Sequence, residues 1–469
     1  MNQLSRLESA SGKSVAAPLY FFLILASVLC AARLSLGQTK SVVGYYYFWD
    51  KTNFPYSKIE YDKLSCIAHA FIVPNADGTI SPESGAAWQD YLYPGMVDAA
   101  HQNDVKVVVS VGGWGNSAGF SPMCASAAAR ANFAGNLKRF CLQNGYDGVD
   151  IDWEYPASGD RANLVAMIRT LRDSLSSSGR TLTLSIAAPG YIAGGYDYAN
   201  LVPSLDWVGV MTYDYYGSWT ANSGFVSPLY TDPRNDQGSV NSSMTQFIQS
   251  GAVPPSKLLM GLPFYGYNFQ SSGLYQPRTG SAPPVFYSAA VDSENSGWTY
   301  HWDDVSKCPY LLNPPNTHII AFDDTVSIAD KCDYVVSKSL GGLIIWRLGM
   351  DNLGYSQPLL EATWKSLNAP TGIVYHLVAQ EPVRGFGLQN YPNPFNPTTV
   401  ISYKLSALSY VSLRVYDVLG REVVRPVNEV QKMGNYEIVF DASKLASGIY
   451  ISVLSVNGRM SGRKMLYLK

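Results

Sequence analysis

The sequence predicts an α/β chain: a (β/α)8 TIM barrel with an α+β insertion between strands 7 and 8, followed by a C-terminal all-β sandwich. Three observations predict it. Eight short β-rich runs alternate with amphipathic helical segments between residues 42 and 367. No phosphate-binding glycine fingerprint follows the first run, which argues against a doubly wound sheet. From about Leu388 the apolar period becomes two, as in half-buried strands.

The predicted strands are Val42–Trp49, Cys66–Val73, Val105–Val111, Gly148–Trp153, Leu182–Ala187, Trp207–Tyr213, Leu258–Pro263 and Gly342–Trp346. Helices lie between most of them. Phe133, Leu137, Phe140 and Cys141 recur at i, i+4, i+7, i+8, and Leu164, Ile168, Leu171 and Leu175 make a similar stripe. A last helix is expected over Gln357–Leu367. The longest gap between strands, residues 267–330, is rich in Tyr, Trp, Pro and Gly and is read as the inserted subdomain, standing beside the site. The barrel domain is placed at 38–367, a linker at 368–387 and the sandwich at 388–469.

Composition narrows the function. Charged residues are 15% of the chain and aromatics 13%, with 33 Tyr and 10 Trp. The formal net charge is −2, which offers no grip on a polyanion and argues against nucleic acid as partner. Few charges and many aromatics suit neutral ring-shaped ligands, or aromatic packing in a large core.

The first 37 residues read as a signal peptide. Arg6 and Lys13 precede an apolar run from Val15 to Ala32, and Ser35 and Gly37 fit a cleavage site after Gly37. The uninterrupted stretch Leu19–Ala32 is short against the roughly 20 residues of a membrane span, so no stable span is expected after cleavage. Cys30 ends this run without a convincing lipid-attachment context. Five cysteines remain: Cys66, Cys124, Cys141, Cys308 and Cys332. This odd number is not a disulfide framework, and the sequence leaves a Cys308–Cys332 pair open.

Chemistry concentrates in Asp147-Gly-Val-Asp150-Ile-Asp152-Trp-Glu154. On a strand, Asp150, Asp152 and Glu154 share one face, while Val149, Ile151 and Trp153 face the helices. Three carboxylates on one buried face repel and desolvate one another. Glu154 ends the row at the C-terminal edge of the fourth strand, where barrel enzymes keep their sites. A solvated acidic loop would not alternate so strictly. A metal site lacks histidine partners, since the chain has 5 His. Chance would give this spacing in roughly one chain in two hundred of this length. No cofactor or metal is expected.

This motif resembles the signature of glycoside hydrolase family 18 chitinases. Other landmarks are similar in order: Val43-Gly44-Tyr45, Ser110-Val-Gly112-Gly113-Trp114, Met211-Thr-Tyr213-Asp214-Tyr215, Gly261-Leu-Pro-Phe-Tyr265-Gly266 and Trp346. The resemblance covers about Ser41 to Leu367, and the insertion resembles that of the deep-groove subfamily. It implies a chitinase acting on chitin or chitooligosaccharides by a retaining, substrate-assisted route. Glu154 would be the acid/base. Asp152 would accept the acetamido N–H, Asp150 would share a proton with Asp152, and Tyr213 would hold the acetamido oxygen. Asp214 and Met211 would bind the same sugar over a Trp346 floor, and Asp147 would support the start of the strand. Tyr45 and Phe71 read as site walls or as core. Trp114 and Trp219 are candidates for further sugar positions. The competing readings are an endo-β-N-acetylglucosaminidase on other glycans and a non-catalytic chitin-binding lectin. The full acidic row argues against the lectin.

The tail resembles the C-terminal sorting domain of type IX secretion cargo. The resemblance rests on Tyr391-Pro-Asn-Pro-Phe-Asn-Pro397, Val415-Tyr-Asp-Val-Leu-Gly-Arg421, Leu445-Ala-Ser-Gly-Ile-Tyr450 and Lys464-Met-Leu-Tyr-Leu-Lys469. It implies a bacterial protein delivered by the type IX machinery to the exterior or the cell surface. A carbohydrate-binding or fibronectin-like sandwich is the rival, and its exposed aromatic rows are not evident.

Overall fold

Eight parallel strands close on themselves in a computed structural model. It describes residues 40–368 and 388–469, apart from residues 84, 355, 406–408, 419, 433 and 457–458. The predicted signal, Cys30 and nearly all of the predicted linker lie outside the described residues. The barrel strands are Ser41–Tyr47, Cys66–Pro74, Lys106–Gly112, Gly148–Asp152, Thr183–Pro189, Trp207–Met211, Leu258–Pro263 and Gly342–Trp346. Each pairs in parallel with the next. The eighth returns to the first, with Ser41 opposite Gly342 and Gly44 opposite Ile345.

All eight predicted strands are present, and the differences lie at their ends. The first stops at Tyr47, and Phe48–Lys51 forms a short 3-10 turn instead. The sixth stops at Met211, where the Thr212 hydroxyl accepts the Gly261 N–H at 2.9 Å and donates to the Gly261 carbonyl at 2.8 Å. A side chain thus replaces the ladder, which a propensity reading does not register.

Alternation sorts the barrel residues into two cores. Val43, Tyr45, Ala68, Ala70, Val108, Leu259 and Ile344 fill the lumen. Val42, Ile67, Val107, Val109, Val149 and Ile151 pack outward under the helices. Burial on both faces explains why these strands read as continuous apolar runs. The stripe Phe133, Leu137, Phe140 and Cys141 is buried on the helix Ala127–Asn144. The Ser126 side chain accepts the Ala129 N–H at that helix's start, and Gly145 ends it at φ 78°. Leu164, Ile168, Leu171 and Leu175 are buried on Arg161–Ser176. The last helix, Pro358–Leu367, is capped by Asp351, whose carboxylate accepts the Leu359 and Leu360 N–H groups.

Between the seventh and eighth barrel strands lies a five-stranded antiparallel sheet. Its order is Pro284–Phe286, Tyr265–Phe269, Ile319–Ala321, Cys308–Leu312 and Thr299–Asp303, with the helix Tyr287–Asn295. The sheet starts at Tyr265 and its last strand ends at Ala321, inside the stretch read from composition except for two residues at the front.

The C-terminal segment forms two antiparallel sheets. One contains Gln389–Tyr391, Thr398–Leu405 and Gly434–Asp441; the other contains Glu422–Gln431, Ser409–Asp417, Gly448–Val456 and Arg459–Tyr467. Ile401, Tyr403 and Phe440 from the first meet Val411, Leu413, Val415, Leu454 and Met465 from the second in one core. Tyr450 and Tyr467 are buried there, whereas Tyr391 is 83% exposed. Packing of the tyrosines therefore holds for Tyr403, Tyr450 and Tyr467 and fails for Tyr391, where the short first strand runs into the proline-rich turn.

The five described cysteines are buried and free, so Cys308 and Cys332 are not paired. The Cys308 Sγ lies 3.3 Å from the Ser227 carbonyl and the Cys332 Sγ 3.8 Å from the Thr363 carbonyl. Among the described residues, no helix is long and apolar enough to cross a membrane.

One ion pair is wholly enclosed. Lys331 Nζ lies 2.6 Å from each Asp323 oxygen and 2.9 Å from Ser227 Oγ, with both charged side chains at 0% exposure. Ser227 Oγ in turn donates to the Thr212 carbonyl at 2.7 Å. The pair thus ties the chain leaving the insertion to the loop after the sixth strand. Removing one partner strands a buried charge, whereas removing both need not. Lys331→Met is expected to destabilise the barrel by about 3–5 kcal/mol in urea unfolding. Lys331→Met combined with Asp323→Leu is expected to recover most of that loss.

Candidate active site

The acidic row is built by the fourth strand. Asp150 stands opposite Ser110 on the third strand and Ser185 on the fifth. Its carboxylate accepts hydrogen bonds from Ser110 Oγ at 2.8 Å, Ser185 Oγ at 2.7 Å and Tyr45 Oη at 2.8 Å. Strands one, three and five each supply one hydroxyl. Burial pushes the Asp150 carboxyl up, and the three donors pull it back.

Asp152 is two residues on and buried. Its Oδ1 has no hydrogen-bond partner among the described residues. Burial, and then the charges of Glu154 and Asp150, hold this carboxyl well above the ordinary range. Glu154 follows the strand end and is half-buried. Its N–H donates to Ser117 Oγ at 2.9 Å. Burial raises its carboxyl to about 7; the Tyr155 hydroxyl lowers it and Asp214 adds to the rise. The charges of Asp152 and Glu154 oppose each other across the row, so the two titrate as a set. The other parity behaves as expected. Val149 and Ile151 face the helices, and Trp153 stacks on Phe120 at 5.1 Å between centroids.

The double glycine of the third strand is explained by this row. Gly112 and Gly113 have φ of 110° and 85°. A Cβ on Gly112 would lie 2.2 Å from the Asp152 carbonyl oxygen, and one on Gly113 would meet the Phe71 ring at 2.7 Å. The Gly113 N–H donates to the Asp152 carbonyl at 2.7 Å. Only glycine lets the chain leaving the third strand pass this close to the Asp152 main chain and the Phe71 ring.

Tyr213 follows the sixth strand and meets Tyr265 edge-on at 6.3 Å. Burial and the nearby carboxylates raise its hydroxyl well above the usual value, so it remains a donor at neutral pH. Asp214 has φ 61°, a left-handed conformation that Asp tolerates. It is open to the cleft, yet its Oδ1 accepts hydrogen bonds from Tyr265 Oη at 2.6 Å and Tyr267 Oη at 3.0 Å. Trp346 is half-buried at the end of the eighth strand. Tyr45 meets it edge-on at 5.6 Å and Phe71 stacks on it at 5.7 Å. Tyr45 and Phe71 are 3% and 5% exposed, so they back Trp346 rather than form open wall, and the Tyr45 hydroxyl is committed to Asp150. Met211 lies half-buried in the same lumen cluster. Asp147 sits apart, at the start of the fourth strand, where it accepts from Arg180 and from the Val107 N–H and pairs with His101.

Several neighbours escaped the sequence reading. Ser110 and Tyr265 stood inside recognised motifs without a role, and Ser117, Ser185 and Tyr267 lay outside them. Arg347 was also missed; burial lowers its guanidinium to about 10. It pairs with Asp50 and lies 5.3 Å over Tyr47 and 5.6 Å over Phe286. The Ala70–Phe71, Glu154–Tyr155 and Trp346–Arg347 peptide bonds are cis, for which the sequence carries no signal. Trp114 and Trp219 are 79% and 57% exposed after the third and sixth strands. Trp49, Tyr155 and Tyr191 are likewise exposed after the first, fourth and fifth. Trp49, Tyr155 and Tyr191 stand two or three residues past their strand ends. Among the described residues, no group of three or more His, Cys, Asp and Glu side chains could hold a metal ion.

Comparison with known proteins agrees with this geometry. The family described as glycosyl hydrolases family 18 matches residues 41–351. A secretion system C-terminal sorting domain matches residues 389–467. Chitinase A1 of Niallia circulans is 33% identical over 306 residues, covering 57% of this chain and 43% of that protein. Chitinase 1 of Aphanocladium album is 30% identical over 355 residues, covering 68% of this chain and 82% of that one. The chain thus spans less than half of the first relative and most of the second. The Group IV chitinase of Ostrinia furnacalis, solved in complex with allosamidin, superposes with a TM-score of 0.63 at 27% identity, covering 69% of this chain and 97% of that one. A family 18 N-acetylglucosaminidase from Paenibacillus barengoltzii also gives 0.63, at 29% identity, covering 70% and 99%.

The electrostatics of the row are testable without a substrate. Carboxyl-carbon NMR is expected to show Glu154 titrating near about 7. Asp214→Asn removes a neighbouring negative charge, so the ionised form of Glu154 becomes less costly. Its midpoint is expected to move to lower pH; an unmoved or raised midpoint would contradict the assigned coupling.

Proposed function

The chain belongs to glycoside hydrolase family 18, and we propose that it is a chitinase, cleaving β-1,4 linkages between N-acetylglucosamine units with retention. One observation carries the mechanism: the row ends just past the strand in Glu154, whose carboxyl is raised to about 7 by burial. A two-carboxylate retaining site needs a second, nucleophilic carboxylate about 5 Å from the acid. Asp150 is held by three hydroxyls and Asp214 by two tyrosines. Substrate-assisted family 18 enzymes are a known exception to the two-carboxylate rule.

In this reading Glu154 protonates the glycosidic oxygen. The substrate's own acetamido oxygen attacks the anomeric carbon, and its attachment gives it a high effective concentration. Asp152, with its unpartnered buried oxygen, accepts the acetamido N–H and stabilises the cationic oxazolinium ring. The Tyr213 hydroxyl orients the acetamido oxygen. Trp346 lies under the sugar ring, kept in place by Tyr45 and Phe71. Glu154, now ionised, deprotonates the water that opens the ring. The exposed aromatics at the strand ends favour a long chain of sugars over a compact glycan.

The matched sorting domain supports export by a type IX system to the exterior or the cell surface. The buried strand tyrosines favour this role over a carbohydrate-binding sandwich.

Glu154→Gln is expected to lower turnover of chitin oligomers by about 10²–10⁴-fold while oligomer binding survives, measured by product chromatography and calorimetry. An unchanged rate would sink the assignment. In the unsubstituted protein, kcat/KM is expected to fall as pH rises through the Glu154 midpoint near about 7, because the acid must be protonated. Truncation at Pro382 is expected to halt the protein before it crosses the outer membrane, read by cell fractionation, with hydrolysis retained. Continued export would reject the sorting role, and loss of binding to insoluble chitin would favour the rival.

A further inference from the structure

Glu154 stands just past the end of its strand at Asp152, where the ladder hydrogen bonds have stopped. An acid that must meet one oxygen atom cannot rest on a loose strand end. The peptide unit joining Trp153 to Glu154 is instead held at both of its polar atoms. The Trp153 carbonyl accepts the Tyr196 hydroxyl at 3.0 Å. The Glu154 N–H donates to Ser117 Oγ at 2.9 Å. Tyr196 follows the fifth strand and Ser117 follows the third, the two neighbours of the fourth strand in the ring. Two hydroxyls from the flanking loops thus take over where the ladder ends.

Each hydroxyl is itself fixed. Ser117 Oγ donates to the Gly113 carbonyl at 3.3 Å, and the Gly113 N–H donates to the Asp152 carbonyl at 2.7 Å. The loop after the third strand therefore grips two successive peptide units of the strand exit. Tyr196 is 4% exposed, and its ring stacks on Tyr198 at 5.3 Å, which meets Phe247 at 5.0 Å. Its loop lies tight against the chain leaving the acid: a Cβ on Gly195 would fall 2.1 Å from the Pro156 carbonyl oxygen. Burial, then the neighbouring Tyr198 and Asp152, hold the Tyr196 hydroxyl well above its usual value, so it stays a donor. A side chain so enclosed has no open face for a sugar and acts through the peptide it holds.

We propose that Tyr196 and Ser117 are positioning residues, which clamp the Trp153–Glu154 peptide unit from both sides and so set the place from which Glu154 delivers its proton. This rests on the reading of Glu154 as the acid.

The test uses the full chain and two substrates that differ in their need for an acid. Cleavage of N-acetylglucosamine tetramer expels a sugar oxygen that must be protonated, whereas the 4-nitrophenyl glycoside of the dimer expels a stable phenolate. Tyr196→Phe, which keeps the ring, and Ser117→Ala are each expected to lower kcat/KM for the tetramer about five- to thirtyfold, and for the 4-nitrophenyl glycoside less than about threefold. Added to Glu154→Gln, neither is expected to change the tetramer dissociation constant more than about twofold, since neither touches the sugar. Ser117→Thr keeps a hydroxyl and is expected to recover most of the tetramer rate. Tyr198→Phe removes a buried hydroxyl with no partner among the described residues, from the same stack, and is expected to leave both rates unchanged. Equal losses on the two substrates, an unchanged tetramer rate, or weakened tetramer binding would overturn the inference and leave the functional reading standing. If the unsubstituted chain cleaves neither substrate, the functional reading falls and the inference with it.

Discussion

The site depends on one buried carboxylate, Asp150, and the three hydroxyls that surround it. An unpaired charge in a barrel lumen is not tolerated, so Tyr45, Ser110 and Ser185 must converge on one point from three strands. That convergence fixes the register of strands one, three and five against the fourth. It also fixes where Asp152 lies, two residues on along the same strand, with Glu154 just past the strand end. The lumen in this layer is therefore polar by design of the ring, with an apolar layer of Val43, Ala68, Val108 and Ile344 in the same interior.

The insertion is a second constraint on the same site. Tyr265 and Tyr267 belong to its sheet and hold Asp214, which belongs to the loop after the sixth barrel strand. The buried Lys331–Asp323 pair and Ser227 tie the chain leaving that sheet to the carbonyl of Thr212, next to Tyr213. Phe286 lies over Arg347, the residue after Trp346. The insertion thus reaches the loops that follow strands six and eight, beside Tyr213 and Trp346. Without it Asp214 would lack the two tyrosine donors that hold it and Tyr213 its edge-on partner.

What could be read from the sequence follows from periodicity. Eight strands, the outward face of Trp153 and the inward face of Asp150, Asp152 and Glu154 are consequences of alternation, and they stand in the structure. Hydrophobic stripes likewise placed Leu164 and Phe133 against the barrel. The partners of those carboxylates were out of reach because they come from strands far away in sequence: Tyr45 is 105 residues from Asp150 and Ser185 is 35. Alternation says which way a hydroxyl faces and gives no register between one strand and another. The same limit left Tyr45 open between wall and core, when its hydroxyl is committed to Asp150. The Cys308–Cys332 question was decided by packing alone, each thiol lying against a different carbonyl.

The low overall charge takes its meaning from this arrangement. A carboxyl whose folded value is raised stabilises the fold fully below its unfolded value, and that contribution is lost as pH rises through the folded value. For Glu154 the window runs from an ordinary 4.5 up to about 7. The burial that keeps this acid protonated at neutrality therefore works against the fold at and above neutrality. Asp152, raised by the same burial, pulls in the same direction. A chain that ionised all three members of the row would combine repulsion with desolvation. Hydroxyl donors on Asp150 remove one member from that conflict by stabilising its charge. In the proposed mechanism the proton left on Glu154 is the one that the glycosidic oxygen takes, so the stability problem and its catalytic use have the same physical origin.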